Sequence, residues 1–205
     1  MSGENCLAGM KVLDLTQFEA GPSCTEALAW LGADVVKVEN PGAGDPGRNI
    51  GRTDPNADAL YFLQYNSNKR SAAVNLKDPR GLDLVKRLAR HADVMIENFA
   101  PGAIERLGLG YDVIKAINPA IIYCQVKGFG KGSPFEKNLA FDMIAQATGG
   151  TMWSPARRMA HRAGRARRWA TPAPACSWRS PSSAPTCGAC APGRASISPS
   201  ACRTR

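Results

Sequence analysis

Short runs of branched and aliphatic side chains recur along most of the chain and alternate with segments of helical spacing. Such runs predict buried strands. The predicted strands are Lys11–Leu15, Asp34–Glu39, Ala72–Leu76, Val94–Glu97 and Ile121–Val126. The predicted helices are Ser23–Leu31, Gly81–Arg90, Gly102–Leu107, Val113–Ile117 and Phe141–Thr148, and Leu60–Tyr65 fits either a helix or a strand. Strands that alternate with helices predict an α/β domain with a mostly parallel sheet.

Capping and turn-forming residues mark the predicted ends of these elements. Ser23 is a candidate N-cap, Gly32 a candidate C-cap, and Pro79 begins a helix. The segments 40–52 and 128–133 are interrupted by glycine and proline, which predicts loops. Right-handed crossovers place ligands beyond the carboxyl ends of parallel strands. The loops in question follow Leu15, Glu39, Glu97 and Val126.

The formal net charge of +9 is concentrated at one end of the chain. Residues 1–152 hold all 17 acidic residues and 16 of the 26 lysines and arginines. Residues 153–205 hold the other 10 basic residues, all arginine, and contain no leucine, valine or phenylalanine. Such a segment cannot bury enough apolar area to offset its ordering entropy. We therefore expect residues 1–152 to fold and residues 153–205 to form a disordered tail.

Composition also excludes some classes of protein. No run of about 18 apolar residues is present, so we expect no membrane-spanning helix and no membrane partner. The first residues, MSGENCLAG, lack the basic start and apolar centre of a secretory signal. The cysteines at positions 6, 24 and 124 are scattered, as in reduced cytosolic proteins, so we expect a cytoplasmic location.

Motifs of fixed spacing are uninformative here. The chain has no GxGxxG after its first strand and no P-loop, so the usual dinucleotide and nucleotide fingerprints are absent. His91 and His161 are its two histidines, which leaves little for a metal site or a Ser-His-Asp triad. Cys187 and Cys190 form a CxxC pair without a second pair at zinc spacing, an accident of composition. We expect no metal.

Two polar loops are candidates for ligand binding. The turn Asn66–Arg70 places two cations before a strand, which suits phosphates. After the predicted strand 94–97, Asn98, Phe99 and Arg106 offer an amide, an aromatic face and a guanidinium, which together suit the base and phosphates of a nucleotide. A solvated loop with a surface arginine is the alternative interpretation of the same residues.

The chain from about Leu7 to Met152 closely resembles the N-terminal part of the family III CoA-transferases, which include formyl-CoA and carnitine CoA-transferases. The resemblance is carried by several motifs in one register: VLDLTQFEAGPSCTEALAWLGADVVKVENPGAGD (12–45), YFLQYNSNKRSAAVNLK (61–77), ADVMIENFAPGAIERLGLGYD (92–112), NPAIIYCQVKGFGKGSP (118–134) and FDMIAQATGG (141–150). It implies a Rossmann-like α/β domain, here incomplete, and an enzyme that moves coenzyme A between carboxylic acids.

The resemblance also implies a coenzyme A site. Coenzyme A is then a substrate, and no permanently bound cofactor is expected. The implied binding residues are Glu19 and Ala20 near the thioester, Asn40 where the family often has an arginine, Val74 and Lys77 along the adenosine, Asn98, Phe99 and Arg106 at the adenine and phosphates, and Lys127 and Phe141 beside the pantetheine. Tyr61 would face the acyl group. Acyl-CoA and carboxylic acids would be its partners, and the full-length family forms interlocked homodimers.

The catalytic residue of that family is missing from this chain. The family uses an aspartate in a GD-[ST]-x-[ST]-G motif beyond the ATGG segment, and it carries first the acyl group and then coenzyme A. The last acidic residue here is Asp142, which precedes ATGG. The segment 169–176, WATPAPAC, can be encoded so that a one-base shift yields LGDTGTGM, the missing motif. We interpret residues 153–205 as an out-of-frame tail caused by a single-base deletion near codon 153.

Three alternatives to an inactive copy of the transferase remain. The first is an enzyme like the related α-methylacyl-CoA racemases. These have a catalytic histidine at the position of Phe141, and its absence here favours the transferase. An inert fragment that binds coenzyme A is the second. The third is a nucleic-acid binder that uses the ten arginines of the tail. Because the frameshift explains that charge without a function, we expect no nucleic-acid partner.

Overall fold

The computed structural model describes residues 5–150, Met152 and the strand Ile197–Pro199. Its centre is a parallel sheet with the strand order β3-β2-β1-β4-β5-β6. The strands are β1 (Lys11–Asp14), β2 (Asp34–Glu39), β3 (Arg70–Ala73), β4 (Val94–Glu97), β5 (Ile122–Gln125) and β6 (Ile197–Pro199). The helices are α1 (Ala20–Trp30), α2 (Leu60–Asn66), α3 (Pro79–Ala89), α4 (Ala103–Arg106), α5 (Tyr111–Ile117) and α6 (Asp142–Thr148). The predicted α/β fold with a mostly parallel sheet is confirmed.

Helix α1 begins earlier than its sequence suggests. Its first residue is Ala20, and the hydroxyl of Ser23 donates to the carbonyl of Ala20 at 3.2 Å from inside the first turn. The prediction of Ser23 as the N-cap is therefore wrong. The early start depends on Gly21, since a Cβ at that position would lie 2.3 Å from Cγ2 of Thr16. Gly32 follows Leu31, the C-cap of this helix, and has a φ of +103°, a conformation that suits glycine.

Strand β3 is displaced from its prediction of Ala72–Leu76. It pairs with β2 in a register that joins Val36 to Arg70 and Glu39 to Ala73. Backbone hydrogen bonds decide this register, because an edge strand with exposed side chains needs no apolar run. The ambiguous segment near residue 60 is the helix α2, and the predicted loop 40–52 contains the 3-10 turn Pro46–Asn49.

Alternate residues of the central strands supply a core on each side of the sheet. On one face, Leu13 and Met95 pack with Val85 of α3. On the other face, Val12 and Ile96 pack with residues of α1. Helices on both faces leave the strand ends as the accessible edges.

Strand β6 belongs to the predicted tail. It lies parallel to β5, with Ile197 opposite Tyr123 and Pro199 opposite Gln125. The prediction that residues 153–205 form a disordered tail stays a prediction. For the rest of residues 153–205, the predictions of disorder and of a frame shift lie outside the described residues.

Candidate functional site

Most of the predicted binding residues lie at the carboxyl edge of the sheet. They follow the strands β1 to β5 in turn: Glu19 and Ala20 after β1, Asn40 after β2, Val74 and Lys77 after β3, Asn98 and Phe99 after β4, and Lys127 after β5. Arg106 lies on the short helix α4 just beyond them. Tyr61 and Phe141, distant in sequence, approach this edge through contacts with Glu19 and Phe18. The structure therefore brings the predicted set to one edge.

Asn98 joins the loops that follow β1 and β4. Its side-chain oxygen accepts from the N–H of Gln17 at 2.8 Å, and its amide nitrogen donates to the carbonyl of Gln17 at 2.7 Å. We expected this amide to contact adenine or phosphate. In the structure both ends of the amide hold Gln17, so Asn98 positions the loop that leads to Glu19.

Lys127, which follows β5, also holds the loop after β4 in place. Its Nζ lies 2.7 Å from Oε1 of the fully buried Glu97 and donates to the carbonyl of Phe99 at 2.8 Å. Burial raises the pKa of Glu97, and the ammonium of Lys127 opposes that shift. The N–H of Phe99 also donates to Glu97 at 2.8 Å. This network fixes the backbone around Phe99.

Arg106 is exposed and lies across a tight turn. Gly102, just before α4, has a φ of +74°, and a Cβ there would lie 3.0 Å from Nη1 of Arg106. The ring of Phe99 is partly buried against the core. An exposed guanidinium can bind a phosphate, and an aromatic ring can stack on a nucleotide base.

Buried ion pairs brace the loop that follows β2. The Nζ of Lys37 lies 2.8 Å from Oδ2 of Asp45, and both side chains are 1% exposed. Asp45 accepts from the N–H groups of Phe18 and Gly47 through its other oxygen. The guanidinium of Arg48 lies 2.7 Å from the carboxylate of Glu39. These contacts tie the loop after β1 to the loop after β2.

Asn40 caps its own turn at this edge. Its side-chain oxygen accepts from the N–H of Gly42 at 3.1 Å, and its carbonyl accepts from the N–H of Gly44 at 2.9 Å. The residue is exposed and carries no charge. It can offer a phosphate the amide hydrogens of its side chain, a weaker contact than a guanidinium makes.

Glu19 is buried against two tyrosines. It is 4% exposed and accepts from the hydroxyl of Tyr65 at 2.9 Å and from that of Tyr61 at 3.4 Å. Burial and the negative charge of Glu19 raise the pKa of Tyr61, which therefore stays a neutral phenol. Ala20, the first residue of α1, follows directly.

Two phenylalanines extend the apolar side of this region. The rings of Phe18 and Phe141 meet edge to face with centroids 6.2 Å apart, and Phe141 is 67% exposed. Phe18 has a φ of +66°, an uncommon conformation for a large side chain. An exposed aromatic pair at a strand edge can pack against an extended aliphatic ligand.

The segment after β3 borders an open groove of about 330 Å³ against the start of α3. Val74 lines it, although the side chain of Val74 is 5% exposed and packs in the core. Lys77 is exposed just beyond. The role of these two residues along the adenosine stays a prediction.

The turn Asn66–Arg70 does not present its cations to a ligand. Lys69 is buried, lies 3.2 Å from Asp14 and donates to the carbonyl of Pro22 at 2.8 Å. Arg70 forms a bidentate contact with Asp34. Both cations are neutralised within the chain, and our prediction of a phosphate site in this turn is wrong.

The buried ion pair between Lys37 and Asp45 was not predicted from the sequence. One signal was available, because Lys37 interrupts the otherwise apolar run of β2, and a charge in a buried strand requires a partner. The identity of that partner depends on the loop geometry.

As the pH falls, the ion pair and hydrogen bonds that Glu39 forms with Arg48 and Ser71 should weaken before the rest of the fold does. Burial alone would raise the pKa of Glu39, but hydrogen bonds from Arg48 and Ser71 outweigh it and lower the pKa to about 2. The folded-state pKa lies below the ordinary value, so this stabilisation is complete above about pH 4.5 and is lost as the pH falls toward 2.

We expect Glu39→Gln to show the size of this effect. The difference in free energy of unfolding between the unaltered chain and the variant should shrink by about 2 kcal/mol from neutral pH to about pH 2.5. Urea unfolding followed by circular dichroism at both pH values measures it. An equal loss of unfolding free energy on acidification in both proteins would contradict the low pKa of Glu39.

The described residues offer neither a metal-binding cluster nor a helix that could span a membrane. They contain no group of three or more histidine, cysteine, aspartate or glutamate side chains placed to hold a metal ion. No helix in the described part of the chain is long and apolar enough to cross a membrane.

Comparison with known proteins identifies relatives of the chain. The family model described as CoA-transferase family III matches residues 7–167. The chain is 48% identical over 145 residues to a formyl-CoA:oxalate CoA-transferase of Afipia carboxidovorans, covering 71% of this chain and 34% of that protein. It is 49% identical over 144 residues to the formyl-CoA:oxalate CoA-transferase of an Escherichia coli strain, covering 70% of this chain and 35% of that protein.

Solved structures agree with this result. A CAIB/BAIF family protein from Brucella suis is 41% identical with a TM-score of 0.68, and the match covers 72% of this chain and 40% of that one. A hypothetical protein from Mycobacterium tuberculosis is 37% identical with a TM-score of 0.67, covering 75% and 42%. The chain spans about a third of the length of the curated relatives that it matches. On these matches, the chain belongs to CoA-transferase family III.

Proposed function

We propose that residues 1–152 form the coenzyme A-binding part of an enzyme that moves coenzyme A between carboxylic acids. The observation that supports this proposal is the carboxyl edge of the sheet, where Asn98 joins the loop after β4, which holds Phe99, to the loop that leads to α1. Family membership supports the class of reaction. A cytoplasmic location and the lack of a permanent cofactor belong to the same proposal.

Each binding residue has a defined part in this proposal. Arg106 binds phosphate, and Phe99 stacks on the adenine. Lys127 and Asn98 hold the loops in place. Phe141 and Phe18 pack against the pantetheine, and Tyr61 faces the acyl group.

The transfer itself requires the aspartate that the shifted frame would restore. Its carboxylate attacks the thioester carbonyl, the C–S bond breaks and coenzyme A leaves as a thiolate. The thiolate then attacks the aspartyl carbonyl of the resulting anhydride, which releases the first acid and forms an aspartyl-CoA thioester. The acceptor carboxylate attacks this thioester, which releases the thiolate and forms a second anhydride. The thiolate then attacks the acceptor's acyl carbonyl, which frees the aspartate and gives the new acyl-CoA. The 205-residue chain binds the substrate in this proposal but does not turn it over.

A second copy of the chain is the proposed protein partner, as in the interlocked family. Large apolar side chains remain exposed on α1 and α2, including Trp30 at 64% and Leu60 at 81%. Such side chains are common in surfaces that bury a partner. Light scattering should therefore find a dimer once the full-length protein is expressed.

Binding of coenzyme A to the 205-residue chain tests the central claim. We expect Arg106→Ala to weaken binding about 10- to 100-fold in isothermal titration calorimetry, because a charge-assisted hydrogen bond to phosphate is lost. Arg87→Ala removes an exposed arginine from the far end of α3 and should change the affinity less than about twofold. No binding by the unaltered chain, or equal losses in both variants, would refute the proposal.

A further inference from the structure

The buried ammonium of Lys69 joins three segments of the chain. Its Nζ lies 3.2 Å from Oδ2 of Asp14 on β1. It donates to the carbonyl of Pro22 in the first turn of α1 at 2.8 Å and to the side-chain oxygen of Asn66, the last residue of α2, at 2.9 Å. The side chain of Lys69 is 2% exposed. Lys69 therefore fixes the start of α1 relative to the sheet and to α2.

These three acceptors match the three hydrogens of a charged lysine. An ammonium can donate to Asp14, Pro22 and Asn66 at once, whereas a neutral amine has two hydrogens and a lone pair. Loss of the proton would therefore remove one of the three contacts and turn a lone pair toward an oxygen. The charge of Lys69 is thus needed for the full set of contacts.

The groups around Lys69 determine the pH at which it loses this proton. Burial lowers the pKa of Lys69, and the carboxylate of Asp14 raises it again. The ammonium of Lys37 on β2 lowers this pKa, and Glu26 on α1 raises it. Helix α2 contributes the uncharged Asn66. The result is a pKa of about 8, against an ordinary value of 10.5, so the ammonium titrates just above neutral pH.

The segment that Lys69 holds leads into the proposed thioester site. Ala20 is the first residue of α1, and Pro22 lies in the same turn. Glu19, which precedes Ala20, accepts from Tyr65 of α2 at 2.9 Å. A shift of α1 against α2 would therefore move Glu19 and Ala20 together, and with them the surface that the proposed function assigns to the thioester.

We propose that Lys69 is a positioning residue that, as an ammonium, holds the first turn of α1 in place for a coenzyme A thioester, and that binding of the thioester weakens when this ammonium loses its proton. The inference rests on the proposed function, because that function places the thioester at the start of α1.

The same titration does not destabilise the fold. Between about pH 8 and 10.5, the unfolded chain still binds the proton that Lys69 of the folded chain has released. The free energy of unfolding therefore rises with pH through this group. A loss of affinity that follows the titration of Lys69 would thus report a change at the site, without a loss of stability from this residue.

Acetyl-CoA is the probe for this inference, because its sulfur carries no proton to lose. We expect the unaltered 205-residue chain to bind it about fivefold more weakly at pH 9 than at pH 7 in isothermal titration calorimetry, the effect of about one lost hydrogen bond. Lys69→Met, which keeps an unbranched side chain without charge, should bind about fivefold more weakly already at pH 7 and change less than about twofold at pH 9. Circular dichroism verifies that the variant is folded at both pH values.

Asn66→Asp decides the question even where Lys69→Met does not fold. It keeps an acceptor oxygen beside Lys69 and adds a negative charge, which favours the ammonium. The affinities of this variant at pH 7 and pH 9 should therefore agree within about twofold. The same fivefold change in Asn66→Asp as in the unaltered chain would overturn the inference.

Lys115→Met is the matched control, because it removes an exposed lysine from α5. It should leave the fivefold change intact. A fivefold change that persists in Lys69→Met would show that another group titrates and would also overturn the inference. If acetyl-CoA fails to bind the unaltered chain at pH 7, the proposed function fails and the inference falls with it; if acetyl-CoA binds equally well at both pH values, only the inference fails.

Discussion

Replacing Lys37 by methionine should lower the free energy of unfolding by about 3–5 kcal/mol, because it leaves Asp45 charged and unpaired in the interior. Lys37 and Asp45 are each 1% exposed and 2.8 Å apart. Lys37 also donates to the carbonyl of Thr16 at 2.7 Å, so its loss would free a second buried group. A domain of this size has only about 5–15 kcal/mol of stability, so the variant should be close to unfolding. Urea unfolding followed by circular dichroism measures the change.

A matched control compares the loss of this buried ion pair with the loss of an exposed one. Arg70→Met breaks the contact with Asp34, whose two side chains are 68% and 46% exposed, and should cost about 0–1 kcal/mol. The double variant Lys37→Met/Asp45→Asn should recover part of the loss, because an amide oxygen at position 45 can still accept from the N–H groups of Phe18 and Gly47. A cost for Lys37→Met as small as that of Arg70→Met would disprove the role of this pair.

On the proposed function, restoring one base near codon 153 should confer a CoA transfer that we expect the 205-residue chain to lack. The 205-residue chain has no acidic residue after Asp142, so on the proposed function it lacks a carboxylate that could carry the acyl group in the position of the family's aspartate. Glu19 cannot substitute, since two tyrosine hydroxyls occupy its oxygens. We expect the restored protein to exchange labelled carboxylic acid into acyl-CoA at least about a thousandfold faster than the 205-residue chain.

The recovered motif supplies the control for that experiment. Asparagine in place of its aspartate, which the shifted frame encodes across the codons of Ala170 and Thr171, should abolish exchange while leaving coenzyme A binding unchanged. Turnover by the 205-residue chain comparable to that of the restored protein would overturn the frameshift interpretation. Activity of the asparagine variant would instead show that another group carries the acyl chain.

The alternation of short apolar runs and helical segments was enough to predict the sheet and the edge at which the proposed site lies. Strand ends such as Glu39 and Glu97 lie where the sequence placed them. This worked because burial of branched side chains is a local property of each run. It failed at β3, an edge strand whose position depends on pairing with β2, and at the start of α1, where Gly21 packs against Thr16.

The sequence by itself determined the α/β class, the family and the residues that follow each strand, since these depend on composition and order along the chain. Only the tertiary structure decided what those residues do. It turned Asn98 toward Gln17, engaged both cations of Asn66–Arg70 within the chain, and placed Glu19 between two tyrosines. The reason is physical: the partner of a buried polar group is whichever donor or acceptor the loops bring within about 3 Å, and that depends on how distant segments pack.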